Sequence, residues 1–185
     1  MIKFFLTVVF IFSYLVLCAQ DIYITRNGKI TFLSQTLIED IQAVNNEVTS
    51  TINIKTGTVQ FLVLIKSFQF KKAAMQQHFY SEEYMNSTQF PKADFKGTIQ
   101  NLNKIDFSKD GSYPVVVEGN LNMHGVTNKL TVNGVITVKG GKISSASKFA
   151  VKLADYKISV PSIVSEKVAQ VVDVTVACTY EPYKS

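Results

Sequence analysis

Hydrophobic and polar positions alternate most regularly between Tyr113 and Val138. Val115, Val117, Gly119, Leu121 and Met123 fall on one side, with Glu118, Asn120, Asn122 and His124 on the other. Beyond a break at Gly125-Val126-Thr127-Asn128 the order repeats: Leu130, Val132, Gly134, Ile136 and Val138 against Lys129, Thr131, Asn133, Thr137 and Lys139. A period of two with one apolar side marks a half-buried strand, and two such limbs around a short Gly-containing link form an antiparallel hairpin.

The rest of the chain reads in the same manner. Ile22 to Ile24 and Lys29 to Leu33 read as two short strands about an Asn27-Gly28 turn, a strong hairpin signal. Ser34 to Asp40 has no clear period. Val48 to Ile54 alternates, Lys55-Thr56-Gly57 turns, and Thr58 to Phe68 continues with Val59, Phe61, Val63 and Ile65 on one face. Leu62, Leu64 and Phe68 make its other face apolar as well, which predicts a covering element. Lys71 to Met85 is the one helical stretch of useful length, rich in Ala and Gln, with Met75–Phe79 and Tyr80–Tyr84 at i,i+4. Ala93 to Asn101 is a strand. After the 113–138 hairpin, Gly140-Gly141 turns into Lys142 to Leu153, with Ile143, Phe149, Val151 and Leu153 on one side. A connection containing Pro161 follows, and Val168 to Tyr180 closes the chain with Val172, Val174, Val176 and Cys178 alternating.

Short links between consecutive one-sided strands predict an all-β fold, an eight-stranded antiparallel up-and-down barrel with a short helical insertion. With the Val and Leu faces inward, Val63, Phe95, Gly119, Leu121, Val132, Gly134, Ile136 and Val174 would line the lumen. Met75 and Phe79 would lie at its opening as parts of a lid. Gly97, Gly119, Gly134, Ser50 and Ser145 put small side chains on the inward rows. They leave space along the axis or merely relieve crowding, and alternation does not choose between these. If the lumen is open, Gly134→Leu fills it and leaves the fold intact.

The N-terminus changes the picture of where this barrel works. Lys3, the apolar run Phe4 to Leu17, and Leu17-Cys18-Ala19 before Gln20 have the organisation of a secretory signal peptide over residues 1–19. Residues 20–185 then form one domain, placed in the periplasm or outside the cell after cleavage near Ala19-Gln20. The run is short for a membrane span, so no stable span is expected in the mature chain. Lipoprotein processing at Cys18 is the competing outcome, although bulky Leu17 precedes the Cys. Cys178 is the other cysteine, so the mature domain has no internal disulfide and depends on its core.

Charge and chemistry narrow the function. The formal charge is +5, lysines are scattered and Arg26 is the sole arginine, so no nucleic-acid groove is marked. GxSxG, Walker-type and GxGxxG motifs are absent from the sequence. His78 precedes Glu82 by four, which on a helix would set both on one face as a two-ligand start to a metal site. An exposed polar pair is the plainer account, and no metal is expected. His124 beside Gly125 fits a turn residue bonding a backbone carbonyl, and Cys178 a buried thiol. Asp106, Asp110 and Asp173 are scattered. No catalytic residue is expected.

Three segments carry a resemblance. GNLNMHGVTNKL (119–130) resembles the G-x-L-x-x-x-G-V-T-K signature of the YceI-like family, secreted bacterial lipocalin-like proteins. HFYSEEYMNSTQFPKADFKG (78–97) is similar to its helical insertion running into F/Y-P-x-A-x-F-x-G, and ADYKISVPSIV (154–164) also fits. The resemblance spans about Gln20 to Tyr180. It implies an antiparallel barrel that is not an enzyme and holds a polyisoprenoid or isoprenoid-quinone-like lipid in its lumen, for carriage or storage. Such a bound lipid would be the only cofactor-like group. Two other readings remain: a barrel with a filled lumen acting as a surface interaction module, and a hydrolase or isomerase using His78, His124 or the carboxylates. A homodimer is left open.

Overall fold

The computed structural model describes residues 21–164 and 166–183. The proposed leader, Cys18 and the Ala19–Gln20 cleavage position lie outside the described residues. Nine strands and one α-helix follow in chain order: β1 (Ile22–Gln35), β2 (Asp40–Asn53), β3 (Thr58–Leu64), β4 (Gln69–Phe70), α1 (Ala73–Tyr80), β5 (Lys92–Ile99), β6 (Gly111–Met123), β7 (Val126–Lys139), β8 (Lys142–Lys152) and β9 (Val171–Pro182). Hydrogen bonding runs β1-β9-β8-β7-β6-β5-β3-β2, and β2 returns to β1. Every pairing is antiparallel, so eight strands close into a barrel. Two-residue β4 adds to β2 at Ala43 and Val44.

The turn at Gly140-Gly141 sits where expected, while that of the 113–138 hairpin is shorter and earlier than the expected break at 125–128, because Val126 to Asn128 already pair with β6. His124 and Gly125 both have positive φ (51° and 73°), as do Gly140 and Gly141 (55° and 75°). This is the two-residue link whose twist matches that of the flanking strands. The 113–138 hairpin therefore turns at 124–125, and Val126 already pairs with Met123. The β2–β3 link is fixed by Asn53, whose Oδ1 accepts the Lys55 and Thr56 amides at 2.9 Å.

Three further expectations are corrected. Asn27-Gly28 does not turn. β1 runs straight through it, because Ile22 to Ile24 find their partners in β2 at Thr51 to Asn53 rather than in Lys29 to Leu33. The register slips around Gly28, where a Cβ would stand 2.8 Å from Cys178 Sγ, so glycine permits a bulge over the thiol. Secondly, the strand from Thr58 breaks into a 3-10 turn at Ile65–Ser67 before β4 resumes pairing with β2. Buried Asn45 bridges the gap, its Nδ2 donating to the Leu64 carbonyl at 3.0 Å while its Oδ1 accepts the Glu47 amide. The break resets the alternation and turns Phe68 inward, whereas Leu62 and Leu64 stay on the outside, 39% and 47% exposed. Thirdly, the helix stops at Tyr80, leaving Glu82 off it, so His78 and Glu82 do not share a helical face.

All links at one end of the barrel are short or packed: 54–57, 100–110 and 140–141. The other end carries 36–39, the segment 65–91 with α1, the 124–125 turn and the 153–170 connection. Burial follows this polarity. Inward residues toward the first end, such as Ile52, Ile136, Val138 and Ile143, are each 2% exposed. Toward the second end burial is mixed: Phe68, Val151 and Val172 are buried, while Phe32, Leu121, Met123, Phe149 and Val174 are only half-buried. The interior is packed at one end and loosely filled at the other.

Candidate functional site

The inward rows toward the second end surround a cavity. Its outer chamber, about 330 Å³, lies under α1 and is walled by β1, β8 and β9 residues including Phe32, Phe149, Val151 and Val174. A second chamber of about 120 Å³ lies deeper, toward the packed end, among Ile52, Val59, Val115 and Val176. Ile30, Val63, Ala93, Leu121 and Phe149 line both, forming a waist.

The sequence candidates distribute over this space. Val63 and Leu121 stand at the waist, Phe95, Val132, Gly134 and Ile136 line the deep chamber, and Val174, Met75 and Phe79 line the outer one. Gly119 is not among the residues lining either chamber. It pairs with Gly97 across β5 and β6, and a Cβ on either glycine would stand 2.7 Å from Phe95 Cζ. The Phe95 ring lies over both glycines, so their missing side chains admit an aromatic ring rather than a ligand. At Gly134 a Cβ would stand 2.9 Å from the Ala146 carbonyl oxygen, so the glycine there serves a close strand approach as well as the lumen. This overturns the expectation that a larger residue enters freely.

Several cavity residues were missed. Phe68 was hidden by the strand break. Phe32 sits inward only because β1 is one strand, and Phe149 was on an inward row whose bulk went unweighed. Phe32, Phe68, Phe70 and Phe79 form a cluster at the mouth with ring centroids 5.1–5.7 Å apart. Phe79 fixes α1 to the rim through it, aided by Tyr80, whose hydroxyl reaches the Phe68 and Lys66 carbonyls at 2.6 and 2.9 Å.

Polar groups are few. At the mouth, Ser34 accepts the Ala169 amide at 2.8 Å, and Glu39 holds Lys72 at 2.8 Å. The Lys72 hydrogen bond keeps the Glu39 carboxyl below its usual range. His78 and Lys167 complete this rim. On the floor of the deep chamber, Tyr180 Oη meets Ser50 Oγ at 3.0 Å and Ser145 Oγ at 3.3 Å. Burial pushes the Tyr180 phenol well above its ordinary value and the neighbouring Cys178 thiol up to about 11.

The chemistry-bearing residues of the sequence stand elsewhere. His124 Nδ1 lies 3.0 Å from the Tyr156 carbonyl, with Phe90 edge-on to the ring. Asp106 accepts from Ser108, Asp110 from the Gly140 amide, and Asp173 binds Lys148 at 2.8 Å. Among the described residues no group of three or more His, Cys, Asp or Glu could hold a metal ion. None of their helices is long and apolar enough to cross a membrane.

Comparison with known proteins completes the picture. The family model of the YceI-like domain matches residues 24–180. The chain belongs to the YceI-like family. Among solved structures it is similar to a polyisoprenoid-binding domain from Saccharophagus degradans implicated in plant cell wall breakdown. That match has a TM-score of 0.76 at 14% identity over 89% of this chain and 99% of the other. BcnA of Burkholderia cenocepacia follows at 0.67 and 14%, covering 83% and 96%. The YCEI protein of Campylobacter jejuni gives 0.56 at 16%, covering 87% and 86%. At these identities the likeness establishes the shared barrel. No curated protein matches the chain.

Proposed function

We propose that this barrel binds one long apolar lipid, polyisoprenoid or isoprenoid-quinone-like, in its lumen. The observation that carries the reading is the hollow outer half, a chamber of about 330 Å³ lined almost wholly by apolar side chains, of which Phe32, Phe149 and Val174 are only half-buried. A polyisoprenoid-binding domain among the structural relatives supports the choice of ligand class. Removing a chain from water gains roughly 0.8 kcal/mol per CH₂, offset by its ordering, so a long dry channel suffices without a dense set of polar contacts. The protein is a carrier or store, not an enzyme: the one ring nitrogen of His124 bonded to Tyr156 serves a turn. Export through the 1–19 leader to the periplasm or beyond belongs to the same proposal. A surface module with a packed lumen is disfavoured by the outer chamber.

Native intact-mass measurement, followed by solvent extraction and mass spectrometry of the extract, tests this. A stoichiometric apolar species is expected, on a chain beginning at Gln20. Protein that carries no such species and takes none up would sink the binding reading. A diacylglyceryl adduct on Cys18 would overturn the export scheme in favour of a lipoprotein.

A further inference from the structure

Ser50, Ser145 and Tyr180 come from three strands, β2, β8 and β9, and meet at the closed end of an otherwise apolar lumen. Ser50 is 1% and Tyr180 2% exposed, so water does not serve these hydroxyls from outside. Covering the barrel floor requires only apolar bulk, and Ile52, Ile136 and Ile143 already supply it. Burying the Ser50 and Tyr180 hydroxyls is costly unless each finds a partner, so an apolar floor would have been simpler. Ser145 and Tyr180 moreover line the deep chamber itself.

We propose that this hydroxyl cluster is a subsite for the leading end of the ligand, which carries an uncharged hydrogen-bonding oxygen, a hydroxyl or a carbonyl. The inference rests on the lumen being a lipid site. The geometry selects against an ionised head. No basic residue lines the deep chamber, and Asp94, the one charged residue beside it, turns its carboxylate to the outer face, where it accepts from Asn122 at 3.1 Å. A carboxylate or phosphate there would meet no cation. A hydroxyl or carbonyl oxygen, by contrast, joins a network whose members both donate and accept. Burial of Tyr180 keeps its phenol protonated across the working pH range, so the donor is always present. The mouth suits a neutral oxygen less well, since Ser34 is bonded to Ala169, Glu39 to Lys72, and Lys167 adds a charge to the rim. The bound lipid is thus oriented with its small polar end down and its tail toward α1.

The test uses the mature protein and two probes of like size, 1-dodecanol and 1-chlorododecane, each displacing the neutral fluorophore N-phenyl-1-naphthylamine. Wild type should prefer the alcohol, and Tyr180→Phe should cut the alcohol-to-chloride preference by about tenfold. Comparing the ratio between variants cancels the probes' different solubilities. Ser145→Ala serves as a second variant should Tyr180→Phe not fold, and should lower the ratio in the same direction. An unchanged ratio in the variants overturns the subsite and leaves the lumen as a lipid site. Failure of either probe to displace the fluorophore from wild type overturns the lipid reading as well.

Discussion

The Cys178 thiol shows how a single buried group sets a pH limit on this fold. Burial raises its pKa from 9.0 to about 11, so the folded chain holds the proton more tightly than the unfolded chain does. That contribution is complete below pH 9 and is lost as pH rises through 11. Its size is roughly 2–3 kcal/mol, and the raised phenol of Tyr180 acts in the same sense at higher pH. The urea midpoint of wild type should fall between pH 8 and 11 by more than that of Cys178→Ala. Equal slopes would mean that the thiol titrates alike in both states. Gly134 sets a different limit. Because a Cβ there presses on the Ala146 carbonyl, Gly134→Leu should lower stability by about 1–3 kcal/mol before it ever blocks the lumen. Thermal melting checks this, and a variant as stable as wild type would show that β8 yields freely.

At the scale of elements, α1 is held from its sides rather than from beneath. No residue of α1 is buried. Its anchors are the Phe79 contacts and the Tyr80 hydroxyl on the two carbonyls of the 65–70 segment. Tyr80→Phe removes about 1 kcal/mol from this local anchorage, so amide exchange over 73–80 should quicken about fivefold while global stability hardly changes. Unchanged exchange would assign the helix to the aromatic cluster alone. What could be read from sequence at this scale follows the range of the forces involved. The link at 140–141 was legible, and that of the 113–138 hairpin to within a few residues, because a turn with positive φ is a local demand. The path of β1 through Asn27-Gly28 and the break at Ile65–Ser67 were not, because partners far along the chain decide them. The site inherits that division. Leu121, Val132 and Ile136 lie on the clean hairpin and were found, whereas Phe32 and Phe68 depend on those two long-range features and were missed. Tyr180 continued the inward row of β9 past Cys178, a signal present in the alternation but not used.

For the molecule as a whole, the packed end and the hollow end divide stability from function. A core that is packed at one end keeps the barrel closed, while the other end leaves an apolar cavity between its side chains. A lipid in the lumen then acts as missing core, and anything that binds only the folded state stabilises it by mass action. At a hundredfold excess over Kd the gain is about 2.7 kcal/mol, which for a chain of this size raises Tm by roughly 5–10 °C. Ala93 provides the control. It is 7% exposed, lines both chambers, and already has a Cβ, so a larger side chain extends into the waist without forcing the backbone. Ala93→Phe should therefore keep or raise the melting temperature of the lipid-free protein, because it fills space that is otherwise empty. It should also abolish the increment that lipid gives to wild type. Melting both proteins with and without loaded lipid yields four temperatures. If lipid still raises the variant's Tm as much as that of wild type, the ligand does not pass the waist and the channel described here is not its site.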